Sequence, residues 1–406
     1  MARRTGFADL PLHSGRVPAW LGQRMSRLGR VICEAIVHHY GQRELLARLA
    51  HPFWFQSFGA VMGMDWHSSG ITTSVIGALK RGLSPVEHEL GIYVCGGRGK
   101  HSRQTPAELV AVGERTGSDG LALARTSRVV AKVDSAAVQD GFSLYLHGFI
   151  LSAAGDWTVV QQGMLPERRL ARRYHWKSEG LASFVDDPHS AVEGEHRGTI
   201  VNLADARAAA SRSAQLELLA RGPDRVLSVL KKAPLPAHVP APAPEPAQQT
   251  LPHLFMPAHH ELREDDVLMR RLRGTLAAAA DRGPKDFVEL MLAPGVGART
   301  LEALAHVAEV VHGAPCRFSD PGRFSFAHGG KDGHPFPVPL RVYDQTISVL
   351  RHAVDTARLG NEERLSAIRE LDRQARRLEA ATSGPGFTER LEYERDASRA
   401  FDGKAV

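Results

Sequence analysis

The sequence predicts an α+β protein, with a mixed α/β N-terminal domain that contains a β-hairpin sheet and an all-α C-terminal helix-hairpin-helix domain. Three observations support this prediction. Apolar residues recur at helical spacing between Leu21 and Tyr40. Residues 142–151 and 157–162 are β-rich runs joined by a short turn that contains glycine, which is typical of a hairpin. After the middle of the chain, the hydrophobic pattern is helical throughout.

A run rich in proline and alanine divides the chain. Such a composition favours an extended, solvated spacer over a packed element. The sequence therefore predicts an α/β domain with any chemistry at 1–230, a linker at 231–252, a helical domain at 253–383 and a flexible, charged tail at 384–406. After the linker, helices are expected at 264–280, 284–292, 298–312, 341–358 and 361–380.

The composition indicates a globular protein, and the cytoplasm is its expected location. The 406 residues carry a net charge of +6, which alone is weak evidence for a polyanionic partner. The three cysteines are widely spaced and form no C-x-x-C pair, so neither a disulfide framework nor a cysteine zinc site is expected. The chain has neither an apolar run of about 18 residues nor an apolar segment behind its basic start, so no membrane contact and no secretory signal are expected.

The sharpest local pattern is a Pro-Gly-Val-Gly turn between two apolar helical segments, and it predicts a helix-hairpin-helix module that binds DNA. Gly295 and Gly297 permit turn conformations and leave backbone N–H groups bare at the start of the second helix, where the dipole favours an anion. Val296 is expected to anchor the turn. Further phosphate donors are expected from Arg299 and Thr300. The alternative is an ordinary αα-hairpin with a glycine turn.

This module resembles the one found in the base-excision DNA glycosylases. In that superfamily, a lysine can follow the second hairpin glycine by two positions, and a catalytic aspartate comes later in the chain. Arg299 holds the lysine position here, and an arginine cannot form a Schiff base. Asp320 lies near the place of the aspartate, although it also suits the start of an Asp-Pro turn. The resemblance therefore implies DNA binding better than it implies glycosylase chemistry.

A polar cluster follows residue 63 in the N-terminal part. Asp65 and His67 are candidates for binding a metal or for moving a proton. The cluster precedes a helical run that begins near Thr72, so its polar side chains suit helix capping equally well. Both interpretations remain open at this point.

A glycine-rich segment at residues 95–103 looks like a phosphate-binding loop. The Walker motif requires a glycine where Val94 stands and a serine or threonine where His101 stands, so nucleotide hydrolysis is not expected. A basic loop at the end of a strand still suits a phosphodiester backbone. The expected contacts are Lys100 and Arg103, and the alternative is a plain basic turn.

Another polar cluster surrounds the predicted β-hairpin. Asp134 and Asp140 precede the hairpin, while Tyr145 and His147 alternate with leucines on its first strand and are expected on one face. A glutamine, Gln161 or its neighbour, ends the second strand. These groups suit a phosphodiesterase site in which the two carboxylates hold Mg²⁺ or Mn²⁺ and the metal activates water. The alternative is a solvated hairpin face with both aspartates capping turns.

Two further segments combine positive charge with aromatic or glycine residues. Arg172 and Arg173 lie in a run of arginines and aromatic rings, which suits phosphate contacts and base stacking, although a charged amphipathic segment is the alternative. Residues 327–335 are rich in glycine, lysine and histidine and form either a functional loop or a structural one.

Several long strings in this sequence resemble one family of prokaryotic proteins, the domain-of-unknown-function family 763. The resemblance covers about residues 5–360. The strings that carry it are TGFADLPLHSG, RLAHPFWFQSFGAVMGMDWHSSGITT, KVDSAAVQDGFSLYLHGF, WTVVQQGM, ARRYHW, the PGVG turn and AHGGKDGHPFPV. The resemblance implies family membership, and it carries no catalytic residue over to this chain.

The leading interpretation is a DNA-processing enzyme, a metal-dependent nuclease acting in repair or recombination. Its site would be formed by Asp134, Asp140 and His147, with Asp65 and His67 as further candidate members. The first alternative is a glycosylase-like enzyme centred on Asp320 or Asp344. The second alternative is a DNA-binding adaptor without catalysis, which predicts salt-dependent binding and no turnover.

Overall fold

The computed structural model describes residues 19–62, 64, 70–168, 170–232 and 264–322. The N-terminal helices are α1 (Ala19–Tyr40), α2 (Gln42–Ala50), α3 (Pro52–Val61), α4 (Gly70–Leu83), α5 (Glu87–Leu90), α6 (Lys100–Thr116) and α7 (Gly120–Lys132). The later helices are α8 (Ala209–Ala220), α9 (Pro223–Lys232), α10 (Glu264–Arg282), α11 (Phe287–Leu292) and α12 (Ala298–His312). The strands are β1 (Ile92–Arg98), β2 (Val138–Gln139), β3 (Ser143–Ser152), β4 (Trp157–Leu165), β5 (Leu170–Lys177), β6 (Ala191–Glu193), β7 (Thr199–Asn202) and β8 (Arg317–Ser319).

Two antiparallel sheets confirm the predicted α+β class. The larger sheet has the strand order β1-β3-β4-β5-β6, and the smaller one has the order β2-β7-β8. The predicted β-hairpin is present as β3 and β4, which pair antiparallel up to Leu151 and Trp157. The hairpin forms the centre of the larger sheet because β1 pairs with β3 and β5 pairs with β4.

The larger sheet separates two hydrophobic cores. One face carries side chains such as Ile150 and Val160, which pack on the layer formed by α1 to α4. The other face carries side chains such as Phe149 and Trp176, which share a core with the later helices. Side chains alternate between the two faces of a strand, so each strand of this sheet supplies apolar residues to both cores.

Helix α7 begins at a side-chain cap and ends in a π-helical turn beside the sheet. The Asp119 side chain accepts a hydrogen bond from the Ala122 amide at 2.9 Å, which caps the first turn. Beyond Lys132 the chain continues as one π-helical turn, residues 133–137, before β2 begins. Leu123 and Val130 bury the apolar stripe of the helix, and the opposite side remains available to solvent.

The segment after the linker packs directly on the N-terminal part. Phe287 of α11 and Leu304 of α12 are buried in the same hydrophobic cluster as Val133 and Leu218. In addition, β8 pairs with β7 in the smaller sheet. The part of residues 253–383 that the structure describes therefore shares a core with residues 1–230 and contributes a strand, which differs from a separate, all-helical domain.

Several expectations concern residues outside the described ranges. They are the linker at 231–252 beyond Lys232, the loop at 327–335, the helices at 341–358 and 361–380, and the tail at 384–406. Among the helices that the structure does describe, none is both long and apolar enough to cross a lipid bilayer.

Candidate functional site

The helical hairpin formed by α11, the turn at 293–297 and α12 is anchored by its apolar residues and open at its tip. Val296 is 1% exposed and packs into the core, as the sequence predicts. Gly295 has φ +84°, a conformation that favours glycine. Gly295 and Arg299 are exposed, whereas Thr300 is buried. The Thr300 hydroxyl was expected to reach a phosphate, but its burial in the helix packing removes it from the surface.

Two side chains from the N-terminal part hold carbonyl groups of this hairpin. Lys132 Nζ lies 2.5 Å from the Val296 carbonyl oxygen, and Gln139 Nε2 donates to the Ala298 carbonyl oxygen at 2.9 Å. The C=O and N–H of a trans peptide point in opposite directions. The Val296 carbonyl points toward Lys132, so the Gly297 amide points away from α7.

The first turn of α12 has backbone N–H donors that no side chain caps. Gly297 occupies the N-cap position and provides no side-chain cap. The first intrahelical bond runs from the Leu301 amide to the Gly297 carbonyl, so the amides of residues 298–300 precede the helical ladder. A Cβ built on Gly297 would meet nothing within 4 Å, so the space beside the N-cap residue is open. An open helix N-terminus of this kind attracts an anion.

A basic face of α7 extends from this turn. Arg125 and Arg128 are exposed, and Lys132 is half-buried against the turn. Their spacing of three and four residues places them on one side of the helix. Burial lowers the pKa of Lys132. At the start of α6, Lys100 and Arg103 are exposed, as a surface role in phosphate binding requires.

A pocket of about 230 Å³ lies between α6, α7 and the central β-hairpin. Its lining includes the exposed Arg103 and Arg128 together with the buried Ser127 and His147. Ser127 Oγ lies 2.9 Å from His147 Nε2, within hydrogen-bonding distance. Burial lowers the pKa of His147, so the imidazole is neutral at neutral pH. The pocket therefore combines a hydroxyl, a neutral imidazole and two guanidinium groups.

A chain of buried, hydrogen-bonded polar side chains extends from His147 across neighbouring strands on one face of the larger sheet. His147 Nδ1 lies 2.7 Å from Gln161 Oε1, and the two residues face each other across β3 and β4. The Gln161 amide nitrogen donates to an Asp134 carboxylate oxygen. That carboxylate also accepts from Trp176 Nε1 at 2.9 Å and contacts His189 Nε2 at 2.5 Å. Asp134 thus has three protein partners and no exposed surface.

Asp140 belongs to a different buried cluster. Its carboxylate accepts from Arg172 at 2.8 Å, from the Tyr174 hydroxyl at 2.6 Å and from the Phe142 amide at 3.0 Å. Burial raises the pKa of Asp140, although Arg172 opposes that shift. Asp134 and Asp140 therefore lie in separate buried clusters, each with its own protein partners. Across the described ranges, no three His, Cys, Asp or Glu side chains form a group suited to a metal, so Mg²⁺ or Mn²⁺ binding stays a prediction.

The two arginines expected to contact DNA lie in the interior. Arg172 and Arg173 are both 0% exposed. Arg172 makes a two-pronged ion pair with Asp320 at 2.8 and 2.7 Å, and Arg173 pairs with Glu193 on the other face of the sheet. These residues lie on the buried strand β5, and their charge is balanced inside the protein, which corrects the sequence-based assignment.

The remaining candidate residues divide into two groups. Asp320 is buried against Arg172 and also accepts from the Arg197 and Gly322 amides, so its carboxylate is bound within the fold, and a glycosylase role for it stays a prediction. Asp65, His67 and Asp344 lie outside the described residues.

The sequence analysis did not identify one residue of the pocket as a candidate. Ser127 occupies the buried side of α7 with Leu123 and Val130, at helical spacing. The sequence did contain one indication, a hydroxyl within an apolar helical stripe. A buried hydroxyl requires a hydrogen-bond partner, so this position could have been identified as part of a buried polar contact. The partner, His147, is 20 positions away and could not be identified from spacing alone.

Comparison with known proteins gives a family and no closer relative. The family model described as "Protein of unknown function (DUF763)" matches residues 6–338. No curated protein and no solved structure matches the chain.

Proposed function

This chain belongs to the DUF763 family, and we propose that it binds the sugar–phosphate backbone of DNA through a helix-hairpin-helix contact. The contact consists of the turn at 293–297 and the first turn of α12, and the basic face of α7 provides a second, flanking surface that reaches the hairpin at Arg125. Helix-hairpin-helix contacts of this kind read the backbone and not the base sequence, because the donors are amides and phosphate-binding cations.

The observation that carries this proposal is the orientation of the hairpin backbone. Lys132 and Gln139 bind the carbonyl oxygens of residues 296 and 298, so the amides of the same two peptide groups, those of Gly297 and Arg299, point away from these donors. Here the carbonyl groups, which would repel a phosphate, are bound by donors from the protein, while the first turn of α12 has no side-chain cap on its amides.

The distribution of charge around the hairpin supports a polyanion over a single small anion. Arg299 is exposed in the first turn of α12, and Lys132 connects the turn to α7. One helical turn before Lys132, Arg128 continues the positive face and shares a pocket with Arg103 of α6. Such a row of cations suits a partner with many phosphates more than a single small anion.

Fluorescence anisotropy with a labelled DNA duplex at increasing NaCl concentration tests this proposal. The logarithm of the binding constant is expected to fall linearly with the logarithm of the salt concentration, by about 0.9 for each phosphate neutralised. Arg299→Ala is expected to weaken binding and to reduce that slope by about 1. Arg81 is an exposed arginine on α4, a helix that packs on the opposite face of the larger sheet. Arg81→Ala is therefore the matched control and is expected to bind DNA like the wild type. Binding that is absent or insensitive to salt would contradict the proposal.

A further inference from the structure

We propose that Ser127 and His147 form a catalytic dyad that hydrolyses phosphodiesters, with Ser127 Oγ as the nucleophile and His147 Nε2 as the general base. The choice of a DNA phosphodiester as the substrate rests on the proposed function. The dyad itself rests only on the geometry of the pocket between α6, α7 and β3.

The distance between the two groups meets the first requirement of such a dyad. Ser127 Oγ lies 2.9 Å from His147 Nε2, which is the range in which a base removes a hydroxyl proton. Both residues line a pocket of about 230 Å³ instead of being enclosed by apolar side chains. Ser127 and His147 are 2% and 5% exposed, so a small part of each side chain opens onto this pocket.

The buried network behind His147 determines which ring nitrogen carries the proton. Trp176 Nε1 can only donate, so the Asp134 oxygen that it contacts is an acceptor. The Gln161 side chain contacts the same oxygen and must present its NH₂ group there, which directs its carbonyl oxygen to His147 Nδ1. Nδ1 therefore holds the hydrogen, and Nε2 directs its lone pair at Ser127 Oγ. Asp134 and Gln161 act as positioning residues.

The charges at the pocket indicate an anionic substrate. Arg103 and Arg128 line the pocket and are exposed, and the pocket lining includes no carboxylate. A guanidinium group binds phosphate oxygens with two parallel hydrogen bonds and stabilises the charge that develops on them. Arg128 also continues the basic face that leads to the helical hairpin through Lys132. A strand bound along that face has its phosphates beside the pocket.

The reaction balances with water as the only co-reactant. Ser127 Oγ forms a bond to phosphorus while His147 Nε2 takes its proton, and the bond from phosphorus to one nucleoside oxygen breaks. His147 then gives the proton to that leaving oxygen. In the second half, water attacks the phosphoserine phosphorus and gives a proton to His147, and the Ser127 oxygen leaves and regains that proton. The products are a phosphomonoester and a free hydroxyl.

Release of 4-nitrophenolate from bis(4-nitrophenyl) phosphate by the full chain tests the dyad without requiring DNA. Ser127→Ala and His147→Ala are each expected to reduce the rate by about 100-fold or more. Ser228→Ala removes an exposed serine from the middle of α9 and is expected to leave the rate unchanged. The melting temperature of each variant shows that it is folded. In quenched reactions, mass spectrometry is expected to find the phosphorus adduct on Ser127 of the wild type.

Absence of turnover in the wild type, or wild-type turnover in a folded Ser127→Ala variant, would overturn the dyad. DNA binding measured by anisotropy separates this result from the proposed function. Binding without turnover overturns only the dyad. Turnover of the small substrate without DNA binding supports the dyad and overturns only the proposed function and the DNA substrate.

Discussion

The ammonium nitrogen of Lys132 lies 2.5 Å from the carbonyl oxygen of Val296, although 164 positions separate the two residues in the sequence. This contact joins the last residue of α7 to the turn of the helical hairpin. Because Lys132 is also the end of the basic face of α7, a single side chain both orients the turn and adds positive charge beside it.

Lys132→Met is expected to loosen the hairpin turn. Methionine keeps the apolar stem but leaves the Val296 carbonyl without its charged donor, and such a bond contributes about 1.5–3 kcal/mol. Hydrogen exchange of the amides at 293–301 is expected to become about tenfold faster or more, and DNA binding to become weaker. Lys80→Met, which removes a half-buried lysine from the Gly96 carbonyl, is the control and is expected to leave this segment unchanged. Unaltered exchange in Lys132→Met would show that the contact does not support the turn.

Arg172→Met is expected to destabilise the whole protein. The substitution leaves the carboxylates of Asp140 and Asp320 buried without a cation. Removing one partner of a buried ion pair costs about 3–5 kcal/mol. Urea denaturation followed by circular dichroism measures the loss, and the exposed Arg81→Met is expected to change stability by no more than about 0.5 kcal/mol. A loss no larger than that of the control would contradict the buried position of Arg172.

His175 is expected to make stability depend on pH below about 6.5. Burial and the neighbouring Arg173 hold the pKa of His175 well below its usual value of 6.5. The unfolded chain therefore binds a proton that the folded chain excludes, so stability falls as the pH decreases from about 6.5. The slope from this side chain approaches about 1.4 kcal/mol per pH unit.

Comparison of urea midpoints from pH 7 to pH 5 for the wild type and His175→Gln isolates this contribution. The variant is expected to lose less stability per pH unit than the wild type, whatever its absolute stability. Other groups that titrate in this range, such as Glu193, whose pKa burial raises to about 7, are common to both proteins. Parallel pH curves would mean that His175 is not held neutral in the fold.

The local elements of this fold were predictable from the sequence because short-range patterns determine them. The β3–β4 hairpin follows from two β-rich runs around a glycine turn, and α12 follows from an apolar stripe after Gly297. The faces of β3 were not predictable. Tyr145 falls at a β-bulge, so its hydroxyl reaches Gln162 while His147 reaches Gln161 on the opposite face.

The partners within the candidate site were not predictable because they are distant in sequence. Arg172 looked like a surface cation, but Asp140 and Asp320, located 32 and 148 positions away, neutralise it in the core. Composition cannot reveal a buried ion pair whose members come from separate elements. For the same reason, the sequence identified His147 as a catalytic candidate but did not identify Ser127 as its partner.

The DNA affinity of Gly297→Asp, compared with Gly297→Asn, tests the central claim most directly. A side chain at Gly297 meets open space, and both aspartate and asparagine are good N-cap residues, so both variants are expected to keep the wild-type melting temperature or exceed it. Only the aspartate places a negative charge where the phosphate is proposed to lie. The account predicts that Gly297→Asp binds DNA at least about tenfold more weakly than Gly297→Asn, a difference of about 1.4 kcal/mol. Equal affinity of Gly297→Asp and Gly297→Asn would contradict it.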